Sequence, residues 1–354
     1  MKEKNTITSQ TRLYRTGNYS GTSVAVLGAG AWGTAIAIAL ARSGHAVRLY
    51  ARRTEHADRM RADRANAQRL PGHPFPPTLA IADTMLSAVA GAEVVFLAGP
   101  SGAVEAQAAA AHGHVPQSTP FIVCAKGLAD DGGFLCERIG NSRGGAPTLM
   151  LSGPSFAEEV AKGLQTIVSV SGDAEVAEPL CSLLSSETFV LAPCADIRGV
   201  QAAGVFKNVA AILCGASDGL AAGANSRAAL MSEAIREAAA FVGAVGGDPL
   251  TLLGPAGFGD FALTCTDPQS RNYSMGFRLA AGEDEGEETH EGAANVEALA
   301  ARARELGVDV PLVEAAADLV AGRLNPREAV GAAFRQRLNQ SRKTQHACNM
   351  GKAA

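Results

Sequence analysis

Long apolar stretches are missing from this sequence: no run reaches the roughly 18 residues that cross a bilayer as a helix. Paired cysteines are missing too. The seven cysteines (Cys124, Cys136, Cys181, Cys194, Cys214, Cys265 and Cys348) are odd in number and form no CxxC. Most sit in apolar runs, where a thiol behaves as a small hydrophobe, so a disulfide framework is excluded and a reducing cytoplasm is expected. Excess charge of one sign is lacking as well. With 31 Lys and Arg against 35 Asp and Glu, the net charge is −4. Such a chain has no broad basic field to draw nucleic acid or a membrane surface, and any anion has to be held by a local site. His112 and His114 flank a glycine without a Cys or carboxylate partner nearby, so no metal site is expected there. Residues 1–22 contain no apolar segment and read as a loose extension, not a signal peptide. There is no internal repeat and no long low-complexity tract.

What is present is an ordinary globular composition, 47% hydrophobic and 19% charged, over 354 residues. That length suits two domains better than one core. Short β-rich runs at residues 23–27, 46–50, 93–97, 120–124, 148–151, 166–170 and 188–191 alternate with helical patterns at 31–43, 101–112, 156–162 and 174–184. Strand–helix alternation at this spacing predicts a mostly parallel sheet with helices on both faces. From about Asp196 the strand signals stop, and Ala-rich helical segments run to about Leu338. The chain therefore reads as an extension (1–22), an α/β domain (23–194), an all-α domain (195–340) and a polar tail (341–354). Residues 283–288 are strongly acidic and read as a loop.

The first strand runs into Gly28-Ala29-Gly30-Ala31-Trp32-Gly33 and then a helix of small apolar residues. This is GxGxxG in its strand–turn–helix setting. Gly28 permits the tight turn, Gly30 lets backbone approach a pyrophosphate, Gly33 lets helix pack on strand, and helix-start amides face the phosphates. The first domain is thus a Rossmann domain. An NAD site expects a carboxylate at the end of the second strand. Here stand Arg52 and Arg53, two guanidiniums able to meet a 2′-phosphate, which favours NADP over NAD. Arginine also stacks on adenine without selecting a phosphate, and two solvated arginines remain the plain alternative.

In the helical half, Lys207 is the only ionisable charge between Gly199 and Ser217, and Ala203, Ala210 and Ala211 share its helical face. Burial favours a neutral amine, and a lysine so tuned can move a hydroxyl proton; the alternative is a lysine that snorkels to the surface. Asp260 is similarly alone between Pro249 and Thr266, flanked by glycines. Two lone opposite charges in apolar surroundings are costly unless they meet, so Lys207 and Asp260 are expected to lie together. Ser270-Arg271-Asn272 offers a guanidinium fork between two hydrogen-bonding side chains, equipment for a phosphate. At the ends of first-domain strands, where α/β ligands collect, stand Lys126 and the turn Gly153-Pro154-Ser155. Ser155 with Glu158 has capping-box spacing, so Ser155 is a cap, a ligand contact or both.

Taken in order, GAGAWGTA, NAQRLPG, CAKGL, LSGPSFAEEVAKG, GVFKNVAAILCGASDGL, GPAGFGDFALTCT and QSRN resemble the bacterial NAD(P)-dependent glycerol-3-phosphate dehydrogenase family. They span residues 28 to 272, and a weaker likeness continues through Glu291-Gly292 to about Arg337. The resemblance implies Lys207 as proton acceptor in alcohol oxidation, with Asp260 orienting it and Lys126 stabilising the same oxygen. It implies a small phosphorylated three-carbon substrate held by Lys126, Gly153, Ser155, Lys207, Asp260, Ser270, Arg271 and Asn272. The dinucleotide would be lined by Ala31, Trp32, Arg52, Arg53, Lys126, Ala157, Arg271, Thr289 and Glu291 beside the glycines. The family is usually cytoplasmic, often dimeric, and feeds phospholipid synthesis. The sequence departs from it at Gly99, where the family more often has a bulky apolar residue, and at 289–296, where valines before Glu291 and a threonine near Val296 are usual. Two rivals stay open on the residues alone: another hydroxyacid or sugar-acid dehydrogenase of the same plan, and a non-catalytic nicotinamide-binding regulator.

Overall fold

The computed structural model describes residues 21–129, 131–283, 291–332 and 334–335. The expected extension and tail fall almost wholly outside them, as does Thr289. Eight strands, β1 (Ser23–Leu27), β2 (Ala46–Tyr50), β3 (Leu79–Ala82), β4 (Val94–Leu97), β5 (Phe121–Val123), β6 (Thr148–Ser152), β7 (Thr166–Ser171) and β8 (Phe189–Cys194), form one sheet in the order β3-β2-β1-β4-β5-β6-β7-β8. Every pairing is parallel except β6 with β7. Seven of the strands coincide with expected ones to within a few residues. β3, between the prolines at 76–77 and the next helix, carries only four residues and gives no such signal.

The interleaved helices are α1 (Ala31–Arg42), α2 (Thr54–Asp63), α3 (Met85–Val89), α4 (Ser101–His112), α5 (Leu135–Ser142), α6 (Ala157–Lys162) and α7 (Ala174–Leu184). Val24–Leu27 and Val94–Leu97 are wholly buried, as a strand covered on both faces must be. One face packs on α1, whose residues Gly33 to Ala41 are all buried, and the other on α4 and α5. The strand order reverses beside β1, so the crevice for a ligand opens at the carboxyl ends of β1 and β4.

β8 ends at Cys194, and Asp196 caps α8 (Ile197–Gly219) by accepting from the Gly199 amide. The helical body continues with α9 (Ala224–Ala244), a 3₁₀ turn at Pro249–Leu253, a π turn at Pro255–Gly259, α10 (Asp260–Thr266), α11 (Arg271–Ala281), α12 (Glu291–Glu305) and α13 (Pro311–Val320). Among the described residues α8 alone is long and apolar enough to cross a membrane, and it is buried throughout its apolar stretch, as the axle of this body. Small residues let neighbours close on it. A Cβ on Gly276 of α11 would stand 1.8 Å from the Ile212 carbonyl oxygen, and one on Gly215 would stand 1.9 Å from that of Tyr273. The two helices thus touch backbone to backbone. α9 turns Leu230, Ala234, Ala238, Phe241 and Val242 into the same core, so an intradomain core accounts for its apolar face.

Leu128 and Phe134, from the loop that follows β5, belong to this helical core and not to the Rossmann layers. The loop after β5 therefore ties the two halves together beside the crevice.

Candidate active site

The nucleotide end is built on the β1–α1 turn. Gly28 has φ +123°, and a Cβ there would lie 2.7 Å from the Ala98 carbonyl; only glycine fits. A Cβ on Gly33 would fall 2.0 Å from the Gly28 oxygen, whereas one on Gly30 meets nothing within 4 Å. Gly28 and Gly33 are thus required by the protein itself. Gly30 leaves an open approach to the helix N-terminus, the shape a pyrophosphate needs. Ala31 and Trp32 open α1, and the Trp32 ring meets Phe189 edge-on at 6.5 Å. Ala157, the first residue of α6, packs against the same core as Trp32. Arg52 and Arg53 lie exposed just past β2, and neither guanidinium makes a hydrogen bond or ion pair with another described residue. Two uncommitted cations beside an open phosphate cradle fit a dinucleotide, and fit a 2′-phosphate best.

Deeper in the crevice three charges meet. Lys207 is 7% exposed on α8. Its Nζ donates to Thr264 Oγ1 at 2.9 Å and stands 3.2 Å from Asp260 Oδ1. Asp260, 1% exposed at the start of α10, takes Lys126 Nζ on its other oxygen at 2.7 Å. Lys126 also donates to the Gly153 carbonyl at 3.2 Å. The backbone reaches Asp260 through the π turn, where Gly257 approaches the Leu252 carbonyl so closely that a Cβ would overlap it. Gly204, one turn before Lys207, has Lys126 Cβ 3.4 Å from where its own would be, so the absence of a side chain there lets Lys126 lie along α8.

Burial lowers the Lys207 amine to about 8, the nearby Lys126 charge helps, and Asp260 only partly opposes them. Burial pushes the Asp260 carboxyl upward, but Lys126 and Lys207 together outweigh it and hold it below the usual carboxylate range. The cluster therefore carries one firm anion between two amines, one of them poised near neutrality. Such a group exchanges a proton readily at physiological pH, and the surplus positive charge favours an anionic ligand or a developing alkoxide.

The expected pairing of Lys207 with Asp260 is found, and Lys126, Gly153 and Ser155 join it. One expectation is corrected. The α6 N-cap is Phe156, so Ser155 stands too early to reach the amides of the first turn, and its hydroxyl donates to the Gly153 carbonyl at 2.9 Å. Glu158 does not complete a capping box; it pairs with His73 at 3.0 Å and Lys162 at 3.1 Å. Ser270 caps α11 by accepting from the Tyr273 amide, with exposed Arg271 and buried Asn272 in the first turn. Tyr273 Oη donates to Asp218, which also pairs with Arg227, so α11 is fixed to α8 and α9 just beyond these residues. Glu291 opens α12. Two participants were not foreseen. Thr264 lies one turn beyond Asp260, donates to its Oδ1 at 3.2 Å and accepts from Lys207; the i, i+4 spacing was a usable signal. Asn208, next to Lys207, donates to the Lys126 carbonyl at 3.4 Å, a contact across 82 residues that no local pattern announces.

Known proteins agree with this plan. Residues 23–177 match the family model described as the NAD-dependent glycerol-3-phosphate dehydrogenase N-terminus, and residues 196–331 match the corresponding C-terminus. A glycerol-3-phosphate dehydrogenase [NAD(P)+] of Halorhodospira halophila is 41% identical over 268 residues, 73% of this chain and 79% of that one. Its counterpart in Alkalilimnicola ehrlichii is 40% identical over 86% of this chain and 94% of its own. The crystal structure of glycerol-3-phosphate dehydrogenase from Coxiella burnetii superposes with a TM-score of 0.83 at 36% identity, covering 87% of this chain and 97% of that one. With both halves matched, the chain belongs to the NAD-dependent glycerol-3-phosphate dehydrogenase family.

Proposed function

We propose that this chain interconverts sn-glycerol 3-phosphate and dihydroxyacetone phosphate with NADP or NAD, NADP being favoured, and so supplies glycerol 3-phosphate for phospholipid synthesis. The observation that carries the reading is the buried Lys207 amine, held by Asp260 and Thr264 beside a second amine at the end of a dinucleotide crevice. When bound, the nicotinamide supplies or takes up the hydride. Everything else falls to the chain. In the reducing direction the Lys207 ammonium passes its proton to the oxygen on C2 as that oxygen gains charge; in the oxidising direction the neutral amine receives the hydroxyl proton. Lys126 stabilises the same oxygen electrostatically. Asp260, shared between the two amines, fixes both Nζ atoms. Ser270, Arg271 and Asn272 hold the phosphate, whose binding energy orients the carbonyl, and Ser155 and Gly153 complete the substrate contacts. Gly28, Gly30 and Gly33 with Ala31, Trp32 and Ala157 cradle the dinucleotide, Arg52 and Arg53 select its 2′-phosphate, and the family resemblance assigns Thr289 and Glu291 to the same site. The protein works as a homodimer in the cytoplasm, where its cysteines remain thiols.

The test is a spectrophotometric assay of NADPH and NADH oxidation with dihydroxyacetone phosphate and, separately, a 2-oxo acid. Rapid oxidation with the phosphate ester alone is expected. Turnover with the 2-oxo acid only, or with neither, would overturn the proposal.

A further inference from the structure

Lys126 can serve this site only if its backbone is held still, and the segment that carries it is a loop. Three elements converge there. Gly127 is so closely flanked that a Cβ would meet Ser101 Oγ of α4 at 2.2 Å and Asn295 Nδ2 of α12 at 2.9 Å. Asn295 Oδ1 accepts from the Leu128 amide at 2.8 Å, spanning 167 residues. Asn295 is 6% exposed and Leu128 5%, and the Leu128 side chain belongs to the helical core that also holds Val296 and Leu299. From the other side Asn208 donates to the Lys126 carbonyl. The peptide units on either side of Gly127 are therefore clamped between α8 and α12. Asn295 also stands one helical turn after Glu291, the first residue of α12, so the clamp joins the Lys126 loop to the helix start expected to meet the cofactor.

We infer that Asn295 is a positioning residue: its side-chain carbonyl, through the Leu128 amide, fixes the loop that sets Lys126 Nζ against Asp260 and the Gly153 carbonyl. It touches no reacting atom. An amide suits the place because its oxygen satisfies a buried N–H while its nitrogen lies against Gly127, and an apolar side chain would leave the Leu128 donor unsatisfied.

The consequence is electrical as well as steric. The groups acting on the Lys207 charge are Asp260 and Cys265 of α10 and Lys126 of the loop. Freeing Lys126 removes a like charge from Lys207 and leaves Asp260 to pair with Lys207 alone. Both changes favour protonated Lys207, so the pH dependence of turnover that follows this amine moves upward.

The inference rests on Lys126 and Lys207 sharing the catalytic site, so K126A is measured beside N295L and N295D in the full-length protein, with dihydroxyacetone phosphate and NADPH. N295L keeps the volume and loses both hydrogen-bonding groups; N295D keeps the acceptor. Expected for folded N295L are a fall in kcat of about tenfold or more, a pH midpoint displaced to higher pH, and NADPH affinity within about threefold of wild type. N295D restores most of the turnover. Wild-type kcat and midpoint in N295L, or equal losses in N295L and N295D, would overturn the role of Asn295. Should N295L fail to fold, hydrogen exchange at the Leu128 amide of the wild type decides: protection matching the α12 core supports the clamp, and exchange at loop rates overturns it. If K126A itself retains full turnover, the shared-site reading fails instead.

Discussion

Replacing Asp260 by Asn probes the charge arrangement most searchingly. The carboxylate is 1% exposed, receives Lys207 and Thr264 on one oxygen and Lys126 on the other, and among the described residues is the only anion paired with either amine. Asparagine has one acceptor oxygen and no charge, so the buried Lys207 amine and the half-buried Lys126 amine are left facing each other with one partner between them. At 3.2 Å and an effective dielectric of about 20, the Lys207–Asp260 attraction alone is worth about 5 kcal/mol. That agrees with the 3–5 kcal/mol that deleting one member of a buried pair typically costs, roughly. The protein has a cheaper escape, which is to release the Lys207 proton. Because burial already brings that amine down to about 8, loss of Asp260 should carry it below neutrality. Two readouts follow. The pH midpoint of ketone reduction should move down by more than about one pH unit, since only the protonated amine donates. Urea melts at pH 6, where the wild-type Lys207 is charged and paired, should show a loss of about 3 kcal/mol or more, shrinking at pH 10, where the wild-type Lys207 amine is already neutral. An unchanged midpoint together with stability within about 0.5 kcal/mol of wild type would show that these charges do not act on one another as described.

Three other outcomes follow from the same geometry. The double variant R52A/R53A should weaken NADPH binding by about tenfold or more and leave NADH nearly unchanged, by fluorescence titration; equal effects on both would remove the 2′-phosphate role. Gly276→Ala places a methyl 1.8 Å from the Ile212 oxygen and should force α11 off α8, costing about 3 kcal/mol or more in a thermal or urea melt; a wild-type melt would contradict the backbone contact. Glu237, 1% exposed on α9, accepts from the Leu312 and Val313 amides at the start of α13, yet burial raises its carboxyl from 4.5 to about 8. The folded protein then binds the extra proton between about 4.5 and 8, so this group's contribution to stability falls as pH rises through that window. The stability difference between E237Q and wild type should therefore shift toward the variant from pH 5 to 9, and parallel pH–stability curves would refute it.

Much of this was legible in the sequence because the signals were local or electrostatic. GxGxxG declared its own turn, and the strand–helix alternation located seven of eight strands. Lys207 and Asp260 could be paired by noting that each was alone among apolar neighbours, since an uncompensated buried charge is too costly to keep. The remainder depended on tertiary placement. β3 is too short and too near prolines to show a period. The antiparallel β6–β7 pairing follows from the connection through α6, whose direction no residue pattern encodes. Ser155 misled because a capping box is recognised by spacing, and the helix began at Ala157, two residues later. Lys126 was visible as a strand-end lysine, but its bond to Asp260 spans 134 residues, and the Asn208 and Asn295 clamps on its loop are equally non-local.

The proposed reaction turns on the proton that Lys207 carries. Steady-state reduction of dihydroxyacetone phosphate by NADPH in K207A, with NADPH affinity measured on the same preparation, tests it most directly. The expected result is a fall in kcat of about 10² to 10⁴ with cofactor binding preserved. Turnover within about threefold of wild type in a folded K207A protein would contradict it.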